Sequence, residues 1–229
     1  MVQTVEARPE AIRTSIQNQL AWDSRVNSKD LRVEVSGGIA RLTGTVTNYN
    51  AKRYAASDAL LTPGVKEIDN RITVKYPGYV PVPPDSVIQS NIKQLFQWNS
   101  NLDASKLDVS VKDGWVTLRG SVDRYWEKIR AEELAAGVPG VLELTNEIAV
   151  VPRETLTDKQ IAEDVISALN RMIDVNMNQV NVQVDNGVVK LEGLAQDMTT
   201  YRTIEDIAFY TKGVTSVNNK MLIAPKSGV

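Results

Sequence analysis

Apolar residues recur at every fourth position in three separate stretches of the chain. The three sets are Ile12, Ile16 and Leu20; Ile88, Ile92 and Phe96; and Ile161, Val165 and Leu169. This spacing places the apolar side chains on one face of a helix. Farther along each stretch, apolar and polar residues alternate, as at Leu107, Val109 and Val111, which predicts a half-buried strand. A second strand, a second helix and a third strand follow, so each stretch predicts the order α-β-β-α-β.

The three stretches are copies of one unit. Gly44, Gly120 and Gly193 occupy matching positions that are 76 and then 73 residues apart, and the same two offsets relate the rest of the pattern without an internal gap. We therefore predict an α+β protein of three tandem modules. Each module is expected to have a three-stranded mixed sheet with two helices on one face. The predicted bounds are residues 8–76, 85–151 and 157–225.

Glycines mark the turns and the tight places of each module. The pairs Gly37-Gly38, Asp113-Gly114 and Asn186-Gly187 predict type I′ turns between the first two strands. The glycine of the second strand predicts a close approach of helix and sheet. In the second module, Gly140 is predicted to end the second helix, at 127–136, as its C′ residue before a third strand at 141–150.

The two linkers differ in composition. Residues 76–84 are rich in proline, which predicts a semi-rigid, extended spacer between the first and second modules. The second linker, residues 151–156, is shorter than the first. Thr157 and Gln160 predict a capping box at the start of the first helix of the third module. The second and third modules are therefore predicted to lie closer together than the first and second.

The second copy carries a recognisable motif. It runs Asp113-Gly114-Trp115-Val116-Thr117-Leu118-Arg119-Gly120-Ser121-Val122, then Gly137-Val138-Pro139-Gly140-Val141, then Asn146-Glu147-Ile148. This motif closely resembles the bacterial BON domain family, and the resemblance covers nearly the whole chain as three tandem copies. The third copy departs most, with Met198-Thr199-Thr200 at its second helix and Lys212 before its Gly-Val pair. The resemblance implies transport-associated binding of lipid or protein near membranes under osmotic or envelope stress, with no established catalytic motif.

Composition narrows the chemistry that is open to the chain. It contains no cysteine and no histidine, which removes thiolate chemistry, the commonest general base and the preferred zinc ligand. No nucleophile elbow, phosphate loop, calcium loop or dinucleotide fingerprint occurs. We therefore expect no catalytic residues, no cofactor, no metal site and no enzyme, unless the fold gathers perturbed carboxylates in a pocket. The net charge of −2 and the absence of a GXXG loop that joins two helices argue against nucleic acid as a partner.

The sequence also bears on location. The chain starts without the apolar segment of a signal peptide, and no run approaches the ~20 apolar residues that span a bilayer. These features predict a cytoplasmic protein that is not transmembrane. The alternative is a periplasmic protein whose signal peptide has been removed. The oligomeric state leaves no trace in the sequence.

Charge is distributed unevenly among the modules. The net charge is +3 over residues 1–76, −3 over 77–152 and −2 over 153–229. Strand alternation points Arg32, Arg41, Arg71 and Lys75 outward on the open face of the first sheet, away from the helices. This face is a candidate site for an anionic partner. The alternatives are a solvated face and a face packed on a neighbouring module. The equivalent set in the second module is mixed to acidic: Asp108, Thr117, Arg119, Glu143 and Glu147.

Aromatic residues supply the second candidate surface. Trp115, Tyr125 and Trp126 are expected to form an exposed patch, of the kind found at membrane and protein interfaces. Trp22 and Trp98 occupy matching positions at the end of the first helix, and this matching favours packing over contact with a partner.

These features give one leading hypothesis and one alternative. The leading hypothesis is a non-catalytic binding protein of the bacterial stress response, with anionic phospholipid or a membrane-associated protein as its partner. The alternative is a cytoplasmic protein-interaction scaffold, or a protein that responds to a small ion, without lipid contact. The acidic isoelectric point of about 5.4 favours the alternative, and the family resemblance favours the first.

Overall fold

The computed structural model describes residues 9–154 and 156–224. The first module contains α1 (Pro9–Trp22), β1 (Leu31–Ser36), β2 (Ile39–Val46), α2 (Tyr49–Leu60) and β3 (Glu67–Val74). The second contains α3 (Asp85–Trp98), β4 (Leu107–Lys112), β5 (Trp115–Val122), α4 (Tyr125–Ala136), β6 (Glu143–Asn146) and β7 (Ala149–Val150). The third contains α5 (Asp158–Asn170), β8 (Val180–Asp185), β9 (Val188–Ala195), α6 (Met198–Tyr210) and β10 (Ser216–Ile223). The predicted α+β architecture of three repeated modules is confirmed.

The second strand lies at the centre of each sheet. In the first module β1 pairs antiparallel with β2, and β3 pairs parallel with the other edge of β2. In the second module β4 pairs antiparallel with β5, whose other edge pairs in parallel with both β6 and β7. The third strand of this module is therefore two segments rather than the continuous strand predicted at 141–150. In the third module β9 lies between β8 and β10.

The core of the first module lies between the sheet and its helices. Ile16 and Leu20 of α1 are fully buried together with Leu42 and Ile72 of the sheet, while Leu31 and Val74 pack against this cluster at its margin. The predicted inward face of the sheet is thus confirmed. The other side of the sheet carries the alternate residues, which leaves their side chains available to solvent or partners.

The predicted type I′ turns are also confirmed. Both central residues have positive φ angles in all three modules, for example 52° at Asp113 and 77° at Gly114. A helix carboxylate supports two of these turns. Asp85, in the first turn of α3, accepts hydrogen bonds from the backbone N–H groups of Asp113 and Gly114, at 2.7 and 2.9 Å. Asp158 of α5 does the same in the third module, whereas Pro9 occupies this position in the first.

A repeated asparagine ties the third strand to the second helix. Asn70 and Asn146 donate their side-chain N–H groups to the carbonyls of Lys52 and Lys128, at 3.3 and 3.0 Å. In the third module Asn219 donates instead to the carboxylate of Glu205, at 3.1 Å. Each asparagine also accepts a hydrogen bond from the backbone N–H two residues ahead. The matching asparagines of the sequence are therefore structural.

Two predictions about glycine need correction. A β-carbon on Gly120 would overlap the backbone carbonyl of Lys106, the last residue of a short 3₁₀ helix before β4. Gly44 and Gly193 are placed in the same way, so the close approach is made by this turn and not by either α-helix. Gly140 is not a C′ residue, because α4 ends at Ala136 and Gly137 caps it. Instead Gly140 packs against Ile88 of α3, with a φ angle of 99°.

The linker between the first and second modules contains a turn that the sequence did not predict. The described residues between β3 and α3 form no helix or strand, but a turn closed by the N–H of Val80 and the carbonyl of Pro77 interrupts the predicted extended spacer. The capping box of Thr157 and Gln160 is confirmed. The described residues divide into two compact units, residues 9–81 with 222–224, and residues 82–154 with 156–221. The second module and most of the third therefore share one unit.

Candidate binding surfaces

The outward face of the first sheet carries the four basic residues that alternation predicts. The side chains of Arg32, Arg41, Arg71 and Lys75 are all exposed. Pairing of β1 with β2 sets Arg32 opposite Thr43, and pairing of β2 with β3 sets Thr43 opposite Arg71. The structure thus brings Arg32 and Arg71 onto one row across the sheet.

An acidic residue that was overlooked lies among these arginines. Asp69 stands opposite Arg41 on the neighbouring strand, where Arg41 Nε lies 2.7 Å from Asp69 Oδ2. Arg71 Nε lies 3.0 Å from Asp69 Oδ1. Hydrogen bonds from Arg71 and then Arg41 hold the pKa of the Asp69 carboxyl below its ordinary value. One carboxylate therefore serves two guanidinium groups on this face.

The net charge of the face is small as a result. Glu34 faces Arg41 across β1 and β2, and Glu67 shares the outward side of β3 with Asp69. These three acids nearly balance the four basic residues. Inspection of every residue of matching strand parity, and not only the basic ones, would have revealed them.

The equivalent face of the second module also carries an arginine paired with a carboxylate, but its other charged residues differ. Arg119 Nε lies 2.7 Å from Glu147 Oε2, and Asp108 stands opposite Arg119 on β4. Glu143 lies beside Trp115 at the start of the same face. No surplus of positive charge marks this surface.

The three predicted aromatic residues do not form one patch. Trp115 is 62% exposed and begins β5, whereas Tyr125 and Trp126 begin the helix that follows the other end of this strand. The 8 residues of β5 span roughly 23 Å at about 3.3 Å per residue. Trp115 is therefore an exposed side chain at the hairpin end of the sheet, away from Tyr125 and Trp126.

Tyr125 contributes instead to the contact between the second and third modules. Its ring packs edge-on against Phe209 of α6, with ring centroids 5.4 Å apart and an interplanar angle of 69°. Burial raises the pKa of its hydroxyl group, and the nearby polar groups of Ser216 and Val217 in the third module oppose this shift. This tyrosine holds two modules together and is not available to an outside partner.

Trp126 lies beside the same contact and lines a cleft. The cleft has a volume of about 490 Å³, and residues of both modules and of the linker between them form its walls. Arg124, Trp126 and Glu127 contribute from the second module, and Lys212 and Gly213 from the third.

The expected packing of Trp22 and Trp98 is wrong. Trp22 is 88% exposed and Trp98 is 75% exposed, and each is the last residue of its helix, α1 or α3. The helices bury the positions Leu20 and Phe96 instead. Matching positions in a repeat thus conserve an exposed indole in two modules, while the third has Arg171 there.

A half-buried carboxylate lies near the contact of the two modules. Glu205 of α6 accepts a hydrogen bond from Asn219, and burial raises its pKa despite this bond. The side chain of Tyr201 is buried nearby, and burial together with the Glu205 charge raises its pKa to about 12. Both shifts arise chiefly from lost hydration, and neither residue lines the cleft.

Glu205→Gln is expected to stabilise the chain more at pH 7 than at pH 4. A raised carboxyl pKa means that the folded state binds the proton more tightly than the unfolded state, so this contribution to stability is lost as pH rises toward the folded pKa. Glutamine keeps an oxygen for Asn219 but has no charge to desolvate. Urea unfolding at both pH values measures the difference, with the exposed Glu163→Gln as the baseline for removal of a negative charge. An equal effect of Glu205→Gln at both pH values would contradict the assignment.

Two further searches bear on the chemistry. Within residues 9–154 and 156–224 no group of three or more acidic, histidine or cysteine side chains is placed to hold a metal ion. In the same residues no helix is both long and apolar enough to cross a bilayer.

Comparison with known proteins identifies the family. The family model described as BON domain matches residues 10–76, 84–152 and 157–225, which together cover most of the chain. The chain belongs to the BON domain family. Its three matched segments agree with the three tandem copies read from the sequence.

Two curated relatives are similar in sequence to part of this BON chain. An uncharacterized protein of the gshII 5′ region of Anaplasma centrale is 34% identical over 133 residues, which is 55% of this chain and 84% of that protein. Osmotically-inducible protein Y of Escherichia coli is 27% identical over 143 residues, which is 60% of this chain and 71% of that protein. Among solved structures, CdsD, a structural protein of the type III secretion system of Chlamydia trachomatis, aligns over 93% of this chain and 92% of its own at 16% identity. Its TM-score of 0.27 is too low to support any inference.

Proposed function

We propose that this BON protein is a non-catalytic binding protein of the bacterial osmotic and envelope stress response, and that it docks on anionic phospholipid surfaces. Membership of the family and the name of its osmotically inducible relative support the stress role. The observation that carries membrane docking is the exposure of Trp22 and Trp98 at matching helix ends.

Exposed indoles suit a membrane surface for a physical reason. Tryptophan has a large apolar ring system and one N–H donor, so it is most stable where one side is apolar and the other is wet. Removal of apolar surface from water is favourable by roughly 25 cal/mol for every Å², and the exposed rings do not gain this free energy in solution. Insertion at the headgroup level recovers that free energy without any change of fold.

The charges of the first module set the preference for anionic lipid. Each basic residue near an anionic leaflet contributes about 1 kcal/mol. Because Asp69 is shared between Arg41 and Arg71, the face as a whole attracts anions weakly. The proposal does not depend on whether the chain is cytoplasmic or periplasmic, since the inner membrane borders both compartments.

Co-sedimentation with vesicles tests the proposal. We expect binding to phosphatidylglycerol vesicles that fades with added salt, and little binding to neutral phosphatidylcholine vesicles. The Arg32, Arg41 and Arg71 to Gln variant should weaken binding by about tenfold or more, and Trp22→Ala with Trp98→Ala should weaken it with less dependence on salt.

Asp69→Asn gives the sharper comparison. It releases Arg41 and Arg71, so it should strengthen binding to anionic vesicles if the first sheet faces the lipid. Glu147→Gln is the matched control, because it releases Arg119 on the equivalent face of the second module. Absence of binding to either vesicle at low salt would overturn membrane docking and favour the protein-interaction scaffold.

A further inference from the structure

The cleft between the second and third modules is lined by residues that differ from the matching residues of the other modules. Arg124 stands where the first and third modules have Asn48 and Asp197. Trp126 stands where they have Asn50 and Thr199. These substitutions both lie at the start of α4.

The third module also contributes a residue to this cleft that differs from its matches in the other modules. Lys212 precedes its Gly-Val pair, where the first two modules have Pro63 and Pro139. Departures that are far apart in sequence thus meet in one cavity. Sequence departures that converge in space, against the local rules of the repeat, are expected at functional sites.

The replacement at Arg124 has a structural disadvantage. Asn48 accepts a hydrogen bond from the N–H of Ala51, and Asp197 from that of Thr200, so each caps its helix. An arginine side chain has no acceptor and cannot do this. Loss of such a cap costs about 1 kcal/mol. Glu127 offsets part of it by accepting the backbone N–H of Arg124 at 3.1 Å.

Two acidic side chains of the cleft form ion pairs with basic side chains, whereas the Arg124 side chain does not. Asp123 pairs with Arg153 at 2.5 Å, and Glu154 with Lys212 at 2.6 Å. Hydrogen bonding by Lys212 holds the pKa of Glu154 below its ordinary value. The Arg124 guanidinium has no hydrogen-bond or ion-pair partner among the residues that the structure describes.

We propose that this cleft binds an organic phosphate, with Arg124 holding the phosphate and the Trp126 indole covering the organic group. The planar guanidinium matches two phosphate oxygens at once, which an ammonium group cannot do. Arg153 and Lys212 lie in the same walls, and the pair of Lys212 with the exposed carboxylate of Glu154 is weak enough for an anion to compete. The volume of about 490 Å³ falls in the range of small-molecule sites.

This inference goes beyond the proposed function, because a soluble phosphate ester would bind here without any membrane. The phosphate can come from a lipid headgroup or from a free metabolite, and the chemistry of the cleft is the same for both. The experiment separates the two sources.

The four tryptophan indole N–H signals report the site by NMR. Trp126→Phe identifies the Trp126 signal. Phenyl phosphate and glycerol 3-phosphate serve as soluble probes, inorganic phosphate tests the anion alone, and phosphatidylglycerol vesicles present the headgroup. We expect phenyl phosphate to shift the Trp126 signal saturably and inorganic phosphate to bind at least about tenfold more weakly, since it lacks a group to stack.

Arg124→Asn is the decisive variant. It restores the capping residue of the first module, so it should keep or raise stability while weakening phenyl phosphate at least about tenfold. Lys112→Gln removes a positive charge at the far end of the second module and should leave affinity unchanged. A Trp126 response to vesicles alone assigns the site to lipid, and a response to the soluble esters assigns it to metabolites. No response of Trp126 to any probe overturns this site, and leaves membrane docking standing if Trp22 and Trp98 still respond to vesicles.

Discussion

Gly120→Ala is expected to destabilise the second module by at least about 3 kcal/mol. The φ angle of Gly120 is 116°, a region that side chains rarely adopt, and an added β-carbon would overlap the carbonyl of Lys106. That carbonyl belongs to backbone, which cannot swing aside as a flexible side chain can. Either β5 must separate from the 3₁₀ turn or the turn must unwind. Urea unfolding followed by circular dichroism measures the loss.

Two other glycines provide graded controls for Gly120→Ala. Gly37 has a φ angle of 59° but open space around it, so Gly37→Ala should cost only the backbone strain, on the order of 1 kcal/mol. Gly78 has open space and no positive φ, so Gly78→Ala should be neutral or stabilising by up to about 1 kcal/mol. If Gly120→Ala were no worse than Gly37→Ala, the overlap with the turn would not be the reason for glycine.

The repeat made most of this fold predictable. Helix spacing and strand alternation depend on side-chain periodicity, and three copies with fixed offsets confirm one another where a single copy would be ambiguous. The turn at Asp113-Gly114 was predictable because positive φ at two successive residues restricts the choice of amino acid. The break between β6 and β7 was not, since Glu147 and Ile148 continue the composition of a strand.

The role of Gly120 was predicted in kind but not in detail. A glycine inside a strand signals a close approach, yet the sequence does not say which element approaches. Here it is the carbonyl of Lys106, in a turn of three residues that has no apolar pattern of its own. The Asp85 contact with the hairpin turn was missed for a similar reason, because it joins residues 28 positions apart.

The candidate sites were less predictable than the fold. Alternation identified the outward arginines correctly, but it gave no register, and register decides that Asp69 lies beside Arg41. Helix periodicity separated the buried Phe96 from Trp98, which ends α3 exposed, but the match between Trp22 and Trp98 in the repeat wrongly favoured packing. The cleft at Trp126 depends on the packing of two modules, which a pattern within one module does not contain.

Tyr125→Ala is expected to uncouple the second and third modules. The change removes the edge-on contact with Phe209 and the hydroxyl group that lies near the polar groups of Ser216 and Val217. For a half-buried tyrosine we expect a loss of about 2–3 kcal/mol. Tyr125→Phe keeps the ring contact and should lose only about 1 kcal/mol. Calorimetry should show the unit of the second and third modules unfolding in one transition, and the alanine variant unfolding in two.

A double-mutant cycle isolates the contact between the two rings. Phe209→Ala alone should destabilise the same interface, and the two changes together should cost about 0.5–1.5 kcal/mol less than their sum, because each removes the same contact. Tyr79→Ala is the matched control, since Tyr79 is 87% exposed and its loss should stay within about 0.5 kcal/mol. Because the cleft at Trp126 needs both modules in place, Tyr125→Ala should also weaken phenyl phosphate while Tyr125→Phe retains it. Strictly additive losses in the cycle would show that Tyr125 stabilises its own module and not the junction.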